Sequence, residues 1–219
     1  MAQGILLFDL DGTILNTAPD LCAAANFIRT KEGFSPMPYE ELRPYAGTGA
    51  KGLLRATLGI TPEDSRYGAL REEFLTWYAG HMADNSYPFE GILDVLASTE
   101  KAGFLWGIVT NKATRLAKPL VEKLFAKAPT PACLIAGDTT PKMKPNPEPL
   151  LEALRQVGLP ANRAIYFGDE ARDITAANAA GIASVAVSWG YGAPAADWNY
   201  TATVTKREEI LPLAKKLLP

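Results

Sequence analysis

The chain has 219 residues, 47% of them apolar, and its 22 Lys and Arg against 24 Asp and Glu leave a net charge of −2. That length suits one domain of about 150 residues carrying a sizeable insertion, and the apolar fraction is enough for a packed core and too high for a disordered chain. No run of Lys and Arg supplies the clustered charge on which nucleic-acid affinity depends, and no apolar run approaches the roughly 20 residues that span a bilayer.

In chain order, the first short apolar run is Gly4–Phe8 (GILLF), which stops at Asp9 and a glycine turn at Gly12. A buried parallel strand that ends at a functional loop has this form. From about Thr17 to Tyr87 the rhythm changes: helix-like segments at Pro19–Lys31, Ala50–Leu58 and Pro62–Met82 follow one another with no convincing strand between them. An all-helical insertion is the simplest account, with junctions at Leu15–Pro19 and Asn85–Pro88 that could serve as a hinge. Apolar runs then recur at Phe104–Val109, Cys133–Ala136, Ala164–Phe167 and Ala183–Val187, with a weaker one at Thr201–Val204. Helical patterns alternate with them at Ile92–Lys101, Ala113–Phe125, Pro147–Val157, Ile174–Ala180 and Glu208–Leu218. The alternation predicts an α/β fold, a doubly wound parallel sheet over residues 1–15 and 88–219 with a helical domain over 16–87. Right-handed crossovers would place the C-terminal ends of all strands on one edge.

Residue counts remove several chemistries. Cys22 and Cys133 are far apart, with no CxxC and no neighbouring His, which argues against a zinc site or disulfide framework and predicts core thiols in a reducing, cytoplasmic setting. His81 is the sole histidine, so HExxH sites and most Ser-His-Asp arrangements are excluded. It reads as a surface or cap residue. No signal peptide, repeat or low-complexity tract is expected.

The chemistry collects at strand ends. Asp9 and Asp11 stand two apart at the end of the first run, a spacing that predicts convergent carboxylates, each raising the pKa of the other. Asp169, Glu170 and Asp173 follow the Ala164–Phe167 run in the same way. Asp9, Asp11, Asp169 and Asp173 in one pocket demand positive charge, and a hard divalent ion held by oxygens answers that demand, with Mg2+ the best fit. Thr110 and Asn111 end a third run with a hydroxyl and an amide able to donate to phosphate oxygens. Lys144, in Lys144-Pro145-Asn146-Pro147, is aimed by a proline-stiffened loop.

The ordered set Asp9–Thr13 (DLDGT), Val109–Asn111 (VTN), Lys144–Pro147 (KPNP) and Gly168–Asp173 (GDEARD) resembles the four motifs of the haloacid dehalogenase-like hydrolase superfamily. The resemblance implies a Rossmann-like core with a helical cap after the first strand. By it, Asp9 is the nucleophile that becomes an aspartyl phosphate, and Asp11 the acid and base at the leaving oxygen and water. Thr110, Asn111 and Lys144 would hold the transferring phosphoryl group, with amides around Leu10–Gly12 and the Gly12-Thr13 turn adding to substrate binding. Mg2+ would be bound by the Asp9 carboxylate, the Asp11 backbone carbonyl and Asp169, with Asp173 orienting Lys144 or metal waters. Many relatives carry Ser or Thr where this chain has Glu170, whose carboxylate is expected to reach a metal water or else to point to solvent.

Retention of Asp11 argues for phosphate esters over haloacids as substrates. Thr110–Leu124, Lys144–Leu154 and the Ala179-Ala180-Gly181 turn resemble phosphoglycolate phosphatases, whereas Leu70–Phe74, Phe89–Gly91 and Leu105–Gly107 also resemble N-acetylmuramic acid 6-phosphate phosphatases. Tyr45–Gly49 resembles the cap loop that meets substrate in the first group, so Gly47, Thr48, Gly49 and Lys51 are expected to bind the anionic end of a small phosphate ester. Gly47–Gly52 also fits GxGxxG, but the preceding Pro38–Ala46 is charged and proline-bearing, not a buried strand, which argues against a dinucleotide site. The expected protein is a monomer or homodimer acting on 2-phosphoglycolate, with a sugar phosphate as the alternative. An inactive ligand-binding homologue is the alternative of a different class.

Overall fold

The structure is a computed structural model that describes residues 2–192 and 194–219. The chain divides into two compact units, Met1–Leu15 with Pro88–Pro219, and Asn16–Tyr87. Strand β1 (Ile5–Phe8) opens the first unit, and β2 (Leu15–Asn16) leads into the second. That inserted unit contains α1 (Ala18–Lys31), α2 (Tyr39–Leu42), a 3-10 helix over Arg43–Thr48, α3 (Gly49–Leu58) and α4 (Tyr67–His81). The chain returns through β3 (Tyr87–Pro88) and continues with α5 (Ile92–Lys101), β4 (Leu105–Val109), α6 (Thr114–Leu124), β5 (Leu134–Ile135) and α7 (Glu148–Val157). It ends with β6 (Ala164–Gly168), α8 (Ala171–Ala179), β7 (Ala183–Val187), β8 (Ala202–Val204) and α9 (Ile210–Leu217).

In the first unit the strands form a six-stranded sheet of order β5-β4-β1-β6-β7-β8, with parallel pairing throughout. Because side chains alternate along a strand, Leu6 and Phe8 of β1 face one layer while Ile5 and Leu7 face the other. The first layer includes Val95 and Leu96 of α5, Val121 of α6 and Ile210 of α9. The second is built on Leu150 and Leu154 of α7 and Ala176 and Ala177 of α8. Both faces are covered, which explains why the strands are continuous apolar runs, not alternating ones. Parallel pairing brings the ends of β1, β4 and β6 to one edge, with β1 central between the other two.

In the second unit α1, α3 and α4 pack on one another. Leu21, Ala24, Ala25 and Ile28 of α1, Leu53 and Leu54 of α3, and Phe74 and Tyr78 of α4 form the buried side. At the base of this unit Asp20 is buried, and its carboxylate accepts the Asn85 and Ser86 backbone N–H groups at 3.0 and 2.8 Å and the Ser86 hydroxyl at 2.7 Å. The first turn of α1 is thereby tied to the segment through which the chain leaves the unit. His81 stacks on Trp77 with ring centroids 4.0 Å apart and contacts the Trp77 carbonyl through Nδ1.

Two sequence expectations differ from the observed elements. The pattern read as one helix over Pro62–Met82 becomes helical only at Tyr67, because the Asp64 carboxylate accepts the Arg66 N–H at 2.8 Å and closes a local turn in place of the helix. Tyr39–Thr48 is helical in two short pieces that periodicity does not reveal. Both cysteines are buried free thiols, and burial pushes Cys22 up to about 12 and Cys133 up to about 11, which keeps them unreactive. Among the described residues no helix is long and apolar enough to cross a membrane.

Candidate active site

Strand β1 stops at Phe8, so Asp9 and Asp11 belong to the turn beyond it, where Gly12 takes φ 84° and its N–H donates to the Leu15 carbonyl at 2.8 Å. The side-to-side alternation of the strand therefore does not extend to this pair. Asp9 instead joins Asp169 and Asp173, with one carboxylate oxygen of each within 4.8 Å of the others. Asp11 lies on Lys112, whose Nζ donates to its two oxygens at 2.8 and 3.1 Å. Asp11 still raises the pKa of Asp9, in the direction the spacing predicts. Asp11 is the least of the named influences on Asp9, whose pKa is raised first by burial and held back by Lys144.

Lys144 is the centre of the site's electrostatics. Its Nζ lies 2.9 Å from Asp9 Oδ1, 2.7 Å from Asp173 Oδ1, 3.0 Å from the Val109 carbonyl and 2.6 Å from the Tyr166 hydroxyl. Burial acts to lower its pKa, but Asp173 and Asp9 outweigh that and hold it raised, so the ammonium stays charged in a fully enclosed position. Tyr166 points inward from β6 and donates to the Val109 carbonyl at 2.8 Å. Its phenol is pushed well above its ordinary value, first by burial and then by Asp173, and remains a donor.

Asp169, at the end of β6, is fully buried. Thr13 donates its hydroxyl to Oδ1 at 2.9 Å and the Tyr191 N–H donates to Oδ2 at 3.1 Å. Burial, then Asp9 and Asp173, raises its pKa well above the ordinary carboxylate value. Room for this carboxylate exists only because two neighbours lack side chains: a Cβ on Gly12 would collide with Asp169 Oδ2, and one on Gly190 with Asp169 Cβ. A buried acid cluster of hard oxygen donors, raised by its own crowding, fits a divalent cation of the Mg2+ type. Asp173 gives Oδ1 to the Lys144 ammonium and accepts the Glu170 N–H on Oδ2 at 3.1 Å.

Three further features come from the geometry. The Asn111 carboxamide is engaged with the Lys144 backbone, donating to its carbonyl at 2.9 Å and accepting its N–H at 3.0 Å. Glu170 pairs with Arg172 at 2.9 Å, and burial followed by that opposing guanidinium sets its raised pKa. The site also holds Lys112 and Arg172 besides Lys144, so its acids face three cations and not one. Thr110 is buried at the end of β4 and its Oγ1 accepts the Lys112 N–H at 3.1 Å.

Gly47, Thr48, Gly49 and Lys51 all lie in the inserted unit. Gly47 and Thr48 close the 3-10 helix, and Gly49 and the exposed Lys51 stand in the first turn of α3. The Thr48 hydroxyl donates to the Tyr45 carbonyl at 2.8 Å, so its proton serves the loop.

Sequence reasoning passed over Lys112, Tyr166 and the Trp189-Gly190-Tyr191 loop. The last follows β7 on the active edge, where Trp189 Nε1 donates to the Thr13 carbonyl at 3.0 Å. A glycine between two aromatics directly after a strand was the available signal.

Residues 6–187 match the family described as haloacid dehalogenase-like hydrolase. The chain belongs to this family. It is 37% identical over 216 residues to the N-acetylmuramic acid 6-phosphate phosphatase of Pseudomonas aeruginosa, covering 97% of this chain and 95% of that protein. It is 40% identical over 186 residues to the phosphoglycolate phosphatase of Xanthomonas campestris pv. campestris, covering 85% of this chain and 83% of that one. A solved haloacid dehalogenase-like family hydrolase from Streptococcus pneumoniae shares the fold, with a TM-score of 0.81 at 20% identity over 96% of this chain and 97% of the other. This member of the family is a phosphatase, a phosphoric monoester hydrolase that acts on small phosphorylated metabolites.

Proposed function

We propose that the phosphatase is Mg2+-dependent, works through an aspartyl phosphate on Asp9, and takes 2-phosphoglycolate as its substrate. The observation that carries the mechanism is the division of labour between the two aspartates of the first turn. Asp9 stands with the buried acids and Lys144, and Asp11 stands apart on Lys112. A nucleophile and an acid must differ in environment to differ in role.

In the first half-reaction an Asp9 oxygen attacks phosphorus, the ester P–O bond breaks, and Asp11 supplies the proton to the departing oxygen. In the second, Asp11 takes a proton from water whose oxygen attacks the phosphorus, releasing phosphate and restoring the Asp9 carboxylate. Lys144 and Thr110 offer an ammonium and a hydroxyl to the phosphoryl oxygens, and Asn111 fixes the Lys144 backbone. Asp9, Asp169 and the Asp11 backbone carbonyl would hold Mg2+, which when bound offsets the negative charge of the phosphoryl group.

A second substrate reading has its own support, since the N-acetylmuramic acid 6-phosphate phosphatase relative is matched over 97% of this chain. Phosphate release from a panel containing both esters, glycerol phosphate and hexose phosphates decides between them. The expected result is the highest kcat/KM on 2-phosphoglycolate, loss of turnover in EDTA with recovery in Mg2+, and collapse in Asp9→Asn even on an aryl phosphate. A clear win for N-acetylmuramic acid 6-phosphate would replace the substrate and leave the mechanism standing, whereas turnover by folded Asp9→Asn would remove the mechanism.

A further inference from the structure

Lys112 follows Asn111 at the end of β4, and its ammonium sits on both oxygens of Asp11. The other two cations of the site have partners other than Asp11. Lys144 has no side-chain exposure and compensates Asp9 and Asp173, so moving it would strand buried carboxylates. Arg172 is paired with Glu170. Lys112 faces a different partner, because the Asp11 side chain keeps 16% exposure and water can solvate it when the ammonium turns to another anion.

The position of Lys112 makes that exchange chemically selective. In the reaction proposed above, on which this inference rests, Asp11 serves the ester oxygen, so the ammonium stands beside the place where that oxygen lies. A carboxylate one carbon from the ester oxygen would lie nearer that ammonium than one on the far side of a sugar ring.

We propose that Lys112 is the specificity-determining residue for phosphate esters of 2-hydroxy acids, exchanging Asp11 for the substrate carboxylate next to the ester oxygen. Release of Asp11 toward that oxygen accompanies the exchange, so that recognition of the second anion and presentation of the acid are one event. Exposed Lys51, on the inserted unit, is then not the principal carboxylate partner.

The test compares kcat/KM for 2-phosphoglycolate and for 2-hydroxyethyl phosphate, in which a hydroxymethyl group replaces the carboxylate, using the full chain with Mg2+. Wild type is expected to prefer the carboxylated ester. Lys112→Met should lose about 10- to 100-fold on 2-phosphoglycolate, the worth of a hydrogen bond between charged groups, and far less on the neutral ester. Lys112→Arg should retain most of the preference, and Lys112→Gln, which keeps a donor to Asp11 without the charge, should repeat the methionine result should that variant not fold. An unchanged ratio in the folded variants overturns the role of Lys112. Equal losses on both esters do so as well, by making Lys112 a support for Asp11 alone. A wild type without preference for the carboxylated ester overturns the substrate reading and this role together, and is recognised before any substitution is made.

Discussion

Asn111 grips Lys144 by its backbone from both sides, with Nδ2 donating to the Lys144 carbonyl at 2.9 Å and Oδ1 accepting its N–H at 3.0 Å. The carboxamide therefore sets where the Lys144 side chain begins its path to Asp9. Asn111→Ala is expected to cost about 1–3 kcal/mol of stability, because two backbone groups lose their partner in a largely enclosed place. It should also lower kcat about tenfold or more, since catalytic groups tolerate little displacement. Urea denaturation and turnover of an aryl phosphate check both. A loss of activity with unchanged stability would instead point to Asn111 as a phosphate donor.

The raised acids give the metal-free protein a definite pH dependence. Asp169 is raised by burial, then by Asp9 and Asp173, and Asp9 by burial against the opposing pull of Lys144. Unfolded, both release their protons near pH 4, whereas folded they hold them to higher pH, so their contribution to stability is present below that value and lost as pH rises through the folded pKa values. Chelated protein should accordingly lose melting temperature as pH rises from about 4, a trend to which Glu170, also raised by burial, adds. A cation that binds the ionised acids reverses the trend, so the rise in melting temperature on adding Mg2+ should be larger at higher pH. An equal rise at every pH would detach metal binding from these carboxylates.

The parallel sheet was legible because its central strands are buried on both faces and leave uninterrupted apolar runs, as in Ile5–Phe8 and Ala164–Phe167. Tyr39–Thr48 was not, since only Leu42 and Ala46 are buried there and two residues carry no period. At the site, the motifs name the groups that meet at the edge but not the partner each one finds. Lys112 lies 101 residues from Asp11 in sequence, and its attachment depends on β4 pairing with β1. The Asp9–Asp11 spacing names the two acids but not the cation on Asp11, since β1 ends at Phe8 and the turn beyond it sets which partner each acid meets.

The Asp20 carboxylate binds two backbone N–H groups and the Ser86 hydroxyl, joining the two ends of the inserted unit. Asp20→Ala leaves those donors without their acceptor at a buried position, so this unit should lose several-fold protection of its amides in hydrogen exchange, centred on Asn85 and Ser86. Asp20→Asn should lose less, as a carboxamide still offers one acceptor oxygen. Unaltered exchange at Asn85 and Ser86 in the alanine variant would show that the segment is held by other contacts.

Asp11 provides the most direct reading of the proposed chemistry. In that chemistry its carboxyl gives a proton to the leaving oxygen, help that matters greatly for an alkoxide and little for a phenolate that departs readily unaided. Asp11→Asn is similar in shape and keeps a donor, but cannot act as acid and base. Turnover of 2-phosphoglycolate should therefore fall by about 100-fold or more, within the range general acid–base catalysis supplies. Formation of the phosphorylated Asp9 intermediate from an activated aryl phosphate should persist, with its hydrolysis now slow because the same residue must activate water. Rapid-quench detection of phosphorylated protein in this variant is the measurement. Accumulation with the aryl ester but not with the alkyl ester supports both roles, whereas equal losses on both esters without accumulation would leave Asp11 with neither.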